Sequence, residues 1–274
     1  MGPRKTYRAR RKNHLEFLIP GDKDNYIRRD IHLYVPGKLV SGSGNNVDVS
    51  DHKGVNNNLL HSLYSHCTVV LNGTAITQSS DQSNYRSYLE TLLTYGTDAA
   101  TTHLTNAYWY RDTGDMLPCD PTSATVTALT NRGLITRWDK LRNSKGLQPF
   151  GRLHSDLFNV SLVLLPGVNI QIRLTKTRPS FYMMSKETDT KSTSKYLDAK
   201  LLVKRVKTDP VTPLVHVTTL NTWALAGYNM TRLEHKKFTF SAGSKSLSID
   251  NAVFALVPKR LLFTMVKNAN FLPQ

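Results

Sequence analysis

The chain has 274 residues and a formal net charge of +16, with 39% hydrophobic and 20% charged residues. That length permits one large β domain or two ordinary ones, and either can bury a substantial core. A polar remainder rich in Thr, Ser and Asn excludes a disordered chain and fits many turns and half-exposed strands, while the excess positive charge suits a polyanionic partner, nucleic acid above all.

The first element is charged. Arg4, Lys5, Arg8, Arg10, Arg11 and Lys12 supply six of the sixteen charges with no acid among them. Residues 1–13 read as a solvated, disordered basic arm, because such a run buries no apolar surface of its own. These six side chains are the candidate nucleic-acid-binding residues, acting through phosphate contacts that salt weakens. No apolar stretch follows this terminus, so secretion is not expected. The Asn-X-Ser/Thr matches at Asn72, Asn159 and Asn229 then read as chance.

Short extended segments come next: Glu16–Ile19, closed by Pro20-Gly21, and Ile31–Val35, closed by Pro36-Gly37. Ser41–Asn58 is loop-like. Cys67–Leu71 and Thr74–Thr77 flank Asn72-Gly73, and Asn-Gly between apolar runs is a strong hairpin signal because a type I′ turn needs two residues that tolerate positive φ. A helix is expected over 84–95. Tyr85, Tyr88, Leu89, Leu92 and Leu93 form its apolar stripe, Asp81 or Ser83 caps its start, and Gly96 ends it in the left-handed region.

Thr113–Asn131 reads as a polar excursion and Ser185–Ser194 as a second loop. Strands are expected at Leu157–Leu165, at Ile170–Leu174 with clean alternation, and at Tyr196–Val206. Further strands are expected at Leu214–Leu220, Arg232–Phe240 and Ala252–Val266. Many short strands with turns about every ten residues define an all-β, jelly-roll sandwich with one short inserted helix.

No catalytic, cofactor or metal site emerges. His154-Ser155-Asp156 has the residue types of a hydrolase triad, but neighbours on a strand point to opposite faces and cannot form one. His61, His66 and Cys67 lack a second ligand pair at zinc-like spacing. Cys67 and Cys119 read as reduced thiols rather than a disulfide framework. Tyr108, Trp109 and Tyr110 could stack on bases, and burial in the core is the stronger reading. The apolar runs are too short to span a bilayer, so no membrane is expected.

Several segments, in order, carry a resemblance: LEFLIPGDKDNY from Leu15, IHLYV from Ile31, NYRSYLETLLTYGTDAATTHLTNAYWYRD from Asn84 and GRLHSDLFN from Gly151. GVNIQIRL from Gly167, AKLLVKRV from Ala199, Thr231–Phe240 and LVPKRL from Leu256 complete the set. Together the chain resembles the major capsid proteins of Maverick/Polinton-type DNA transposons and adintoviruses. The resemblance implies a double jelly roll, with residues 14–207 as the first jelly-roll domain and 208–274 as the incomplete start of a second, in a truncated chain. It also implies a non-enzymatic, hexon-like capsid subunit that forms homotrimers and then a lattice. Such a subunit resides in the virion or in the host nucleus or cytoplasm, and the basic arm touches packaged DNA. The rival reading is a basic β-sandwich that binds nucleic acid without assembling. A nuclease or hydrolase with a hidden site is a third.

Overall fold

A computed structural model describes residues 4–11, 14–28, 30–47, 53–77, 82–113, 131–159, 162–185, 193–196, 198–241, 243–244, 246–250 and 257–265. In chain order the elements begin with β1 (Arg4–Arg8), β2 (Arg10–Arg11), β3 (His14–Ile19), β4 (Asn25–Ile27), β5 (His32–Tyr34), β6 (Gly37–Val40) and β7 (Lys53–Val55). There follow α1 (Leu59–Ser62), β8 (Tyr64–Leu71), β9 (Thr74–Ala75), α2 (Ser83–Thr94), α3 (Thr97–Thr101) and α4 (Arg132–Leu141). The last are β10 (Phe150–Arg152), β11 (Ile170–Lys176), α5 (Pro179–Tyr182), β12 (Met183–Ser185), β13 (Thr193–Tyr196), β14 (Lys200–Lys207) and α6 (Val211–Asn221).

Two antiparallel sheets carry the fold. The first has the order β1-β14-β5-β10, with β4 also pairing to β14; the second has the order β2-β3-β11-β8-β9. Neighbours within each sheet are far apart in sequence, as when β1 pairs with β14 and β3 with β11. Successive strands thus cross between sheets, which is the wiring of a jelly-roll sandwich. Two small ribbons, β6–β13 and β7–β12, extend it.

Alternation explains why these sheets stack. Along β11, Ile170, Ile172 and Leu174 are at most 1% exposed, and the residues between them face outward. Phe17 and Ile19 of β3, Val69 of β8, Leu33 of β5, and Leu201 and Val203 of β14 join the same apolar cluster. Full burial of each such side chain contributes about 1.5–3 kcal/mol. The hairpin signal holds: β8 and β9 are joined through Asn72 at φ +46° and Gly73 at φ +86°, the left-handed pair a type I′ turn requires.

The solvated arm expected at 1–13 gives way to structure over residues 4–11. β1 pairs with β14 from Arg4↔Lys204 to Arg8↔Lys200, and β2 pairs with β3. Ala9 donates its N–H to the Ala199 carbonyl where the chain passes from one sheet to the other. A pairing edge on β14 supplies backbone bonds that a local count of charges does not reveal, and cations suit an edge strand because they deter further pairing.

Other differences follow from tertiary context. Helix α2 covers 83–94 as expected, but Gln82 stands at its cap position, and Gly96 has φ −83°, extended rather than left-handed. Asp81 lies outside the described residues. Leu157–Asn159 is a 3₁₀ turn rather than a strand, and Leu164 makes only an isolated bridge to Ile27. The expected strand at Leu214–Leu220 lies in α6, where Val211, Leu214, Val215, Val217 and Leu220 are all exposed. A continuous apolar run does not by itself separate helix from strand.

One inserted helix does not suffice: α1 is wholly buried, and α4 is a further helix packed on the sandwich. Asn131 caps it, its side chain accepting from the Leu134 N–H at 3.0 Å. Gly133 is required there, because a Cβ would lie 2.6 Å from the Arg111 carbonyl oxygen. The polar excursion at 114–130 and the core of the 185–194 loop lie outside the described residues.

The chain divides into two compact units, Met1–Arg232 and Leu233–Gln274. The described residues of the second hold no helix and no strand; the expected strand at Arg232–Phe240 is absent, as is the described part, 257–265, of the one expected at Ala252–Val266, whose remaining residues lie outside the described ones.

Candidate functional site

The polar groups that the fold gathers most tightly lie around α2. Its buried face is small and polar: Asn84, Ser87 and Thr91 turn inward. Leu92 and Leu93 of the expected apolar stripe are each 53% exposed. Ser87 Oγ donates to the Asn84 carbonyl and receives the Asn58 amide at 3.3 Å. Small side chains let the helix approach the body, and the aromatic residues on its flanks find partners instead. Tyr85 meets Phe181 edge-on with centroids 5.5 Å apart, and Tyr88 meets Trp109 at 5.1 Å. Trp109 is buried, as its core reading requires.

Beside that face sits a half-buried ionic cluster. Arg86 Nε donates to Glu90 Oε1 at 2.8 Å, one turn along the helix, and its Nη1 pairs with Asp156 Oδ1 at 2.6 Å. Glu90 Oε2 accepts from His154 Nδ1 at 2.7 Å, and Glu90 Oε1 accepts from the Asn159 amide at 3.1 Å. His61 of α1 meets His154 edge-on, ring centroids 4.7 Å apart. Burial pushes the Glu90 carboxyl up, but the His154 hydrogen bond and the Arg86 charge outweigh it and hold the group down at about 2. Burial, with the His154 charge beside it, holds His61 well below its ordinary value.

This cluster brings together residues weighed separately in the sequence. His154 and Asp156 are not a triad; each engages a different charge on α2. His61 joins His154 rather than His66 and Cys67, and among the described residues no group of His, Cys, Asp and Glu could hold a metal ion. Cys67 is a free thiol that burial pushes up to about 12, so it is a poor nucleophile at neutral pH. Cys119 lies outside the described residues. The signal for Arg86 and Glu90 was their i, i+4 spacing, which alone reads as an ordinary surface pair.

Two buried arginines clasp the fold. Arg137 of α4, 1% exposed, donates from Nε to the Val55 carbonyl, from Nη1 to the Tyr110 carbonyl and from Nη2 to Asp112 Oδ1, at 2.9, 2.9 and 2.7 Å. Arg205 of β14 donates to Asp22 Oδ2, to the Tyr7 hydroxyl and to the Pro20 carbonyl at 2.8, 2.6 and 2.8 Å. Both forks satisfy several acceptors at once, which a buried guanidinium requires. They hold charges and carbonyls in place and present no free nucleophile or base.

The six candidate nucleic-acid residues separate. Arg4, Lys5 and Arg8 lie on β1 at the edge of the first sheet, Arg10 and Arg11 lie on β2 in the second, and Lys12 lies outside the described residues. Arg8 is well exposed and only loosely paired with Asp198, at 4.0 Å. Among the described residues, no helix is long and apolar enough to cross a membrane.

Fold and site together define a jelly-roll β-sandwich with ion-paired arginines held between its elements. No protein-family model matches the chain, and no curated protein matches its sequence. Among solved structures, it is similar to a chain in the 3.5 Å cryo-EM structure of the Sputnik virophage, with TM-score 0.52 and 8% identity over 77% of this chain and 48% of that one. VP54 of PBCV-1, fitted into a cryo-EM reconstruction of the same virophage, aligns with TM-score 0.45 and 9% identity over 78% of this chain and 44% of VP54. This chain therefore spans about half the length of those neighbours. At such identity the virophage likeness establishes the all-β jelly-roll fold.

Proposed function

We propose that the chain is a non-enzymatic capsid subunit, hexon-like and of the Polinton/adintovirus type. One observation carries the reading: the sandwich follows a chain of a virophage structure over 77% of its length. The ordered sequence likeness from Leu15 to Leu261 supplies the finer assignment, and with it the reading of 208–274 as the opening of a second jelly roll.

Assembly is then the activity. Each sandwich hides its apolar interior and presents rigid faces to neighbours. Three copies close into a ring through heterologous contacts, and rings tile into a shell. Arg4, Lys5, Arg8, Arg10, Arg11 and Lys12 contact packaged DNA. Because residues 4–11 belong to both sheets, that role is tested by charge removal rather than by deletion.

The test is the size of the purified full chain. Light scattering coupled to gel filtration, followed by electron microscopy, should show trimers and then shells. Monomers at every concentration would refute the assembly reading. Monomers that still bind DNA would favour the rival, a basic sandwich that grips nucleic acid, which the +16 charge supports.

A further inference from the structure

The outer face of the first sheet carries an arrangement the sequence did not disclose. Register places Arg8, Lys200, Tyr34 and Phe150 in one row across four strands, and Thr6, Leu202, His32 and Arg152 in the next. Lys204 stands two residues along β14 from Leu202, opposite Arg4, and its carbonyl receives the Arg28 N–H. Residues directly opposite on antiparallel strands share a face. The inward partners on the same strands, Leu33, Leu201 and Val203, are fully buried, so these rows face away from the core. The His32 and Phe150 rings stack with planes 8° apart and centroids 5.2 Å apart.

Like charges placed opposite each other, Arg8 against Lys200, cost stability in a strand pair. The counter-charge on this face is thin. Asp198 serves both Arg8, at 4.0 Å, and Lys200, at 3.8 Å. Asp30, at the strand margin, serves Arg28 at 3.4 Å. A sheet face with rings beside cations that share a single carboxylate meets the needs of a flexible polyanion whose bases have π-faces.

We propose that this face, centred on Tyr34, His32 and Phe150 with Arg8, Lys200 and Lys204 on the adjoining strands, binds single-stranded nucleic acid. The cations track the phosphates and the rings receive bases. The surface goes beyond the amino-terminal segment invoked above and does not require a shell, since each copy carries the whole platform.

The experiment is fluorescence anisotropy of the full chain with a labelled oligothymidylate of about 20 nucleotides and with a duplex of the same length, over a series of salt concentrations. The strand should bind more tightly than the duplex. Lys200→Ala with Lys204→Ala should lower the salt slope by about 1.4, from roughly 0.7 per phosphate contact on a single strand. Tyr34→Ala with Phe150→Ala should weaken strand binding about ten-fold or more with the slope unchanged, the signature of lost stacking. Lys140→Ala on α4 serves as the control and should change neither quantity. Unfolding curves of each variant confirm an intact fold, and Tyr34→Leu with Phe150→Leu keeps the packing volume should the alanine pair fail to fold. An unchanged slope in the lysine pair, or strand affinity retained in both aromatic pairs, would overturn the proposal. Trimers that form normally while the platform variants lose the oligonucleotide would separate this site from the assembly reading.

Discussion

Strand β11 and helix α2 bury opposite kinds of side chain. In β11 the apolar set, Ile170, Ile172 and Leu174, goes inward without exception. In α2 the buried set is Asn84, Ser87 and Thr91, while Leu92 and Leu93 stand half in water. A central strand has neighbours on both edges, so pairing leaves one apolar face free to seek the other sheet. A helix laid beside a strand meets a surface already furnished with polar groups, and here close approach and a charged anchor set its rotation. The lesson is that apolar pattern decides burial where backbone pairing has already fixed orientation. It decides less where a helix is free to roll toward its ion pairs.

The largest test of that view removes an anchor. Arg137→Ala should destabilise the protein by about 3–5 kcal/mol, because it strands Asp112 and two carbonyls in the interior; chemical denaturation measures it. Next is the strand. Ile172→Ala should cost about 2–5 kcal/mol through lost burial and the cavity left behind. If it proves nearly neutral, the core does not hold the fold as described.

The helix face comes third. Ser87→Leu adds an apolar group to the buried polar face and should destabilise by about 1–3 kcal/mol from overpacking. Leu92→Ser with Leu93→Ser, on the same helix, should shift stability by no more than about 0.5 kcal/mol at each position. A reversal of those two results would mean that α2 packs through its leucines after all.

Acid sharpens the comparison further, because its first target is His61, packed beside α2, whereas the carboxyl that β11 engages, Glu16, is held below its ordinary value by the Gln171 hydrogen bond and the Arg173 charge. The folded value of His61 lies below its ordinary 6.5. The unfolded chain therefore takes up a proton that the folded chain refuses, and stability falls as pH drops below about 6.5. Glu90, at about 2 against an ordinary 4.5, contributes stability that is complete above about 4.5 and is lost as pH falls toward 2. Thermal melts from pH 7.5 to 4.5 should show the first loss in the wild type and a flatter profile in His61→Phe. Hydrogen exchange should place it at α1 and α2 before β11.

Much of the fold was legible from local pattern. Leu15, Phe17 and Ile19 alternate, as do Ile170, Ile172 and Leu174, and a period of two admits one arrangement once a second sheet exists. Asn72-Gly73 marked its own turn because few other pairs adopt positive φ twice. The extent of α2 was legible to within about a residue. Its inward face was not, since Arg86, Glu90, His154 and Asp156 meet only when α2 and the 154–159 segment converge. Helix α4 had a readable signature in Asn131, Leu134, Trp138 and Leu141, which fit an N-cap and helical spacing. The first cations looked solvated because their partner strand lies about two hundred positions away.

The amino-acid order by itself determined the alternating strands β3 and β11, the hairpin and the existence of α2, because each depends on residues within a few positions and on dihedral preferences that act locally. Only the tertiary structure decided the rotation of α2, the recruitment of Arg4–Arg11 into two sheets, and the assembly of the ionic cluster and the basic aromatic face. Those rest on backbone hydrogen bonds and charge pairs between distant segments, whose free energy exists only once the sandwich has closed.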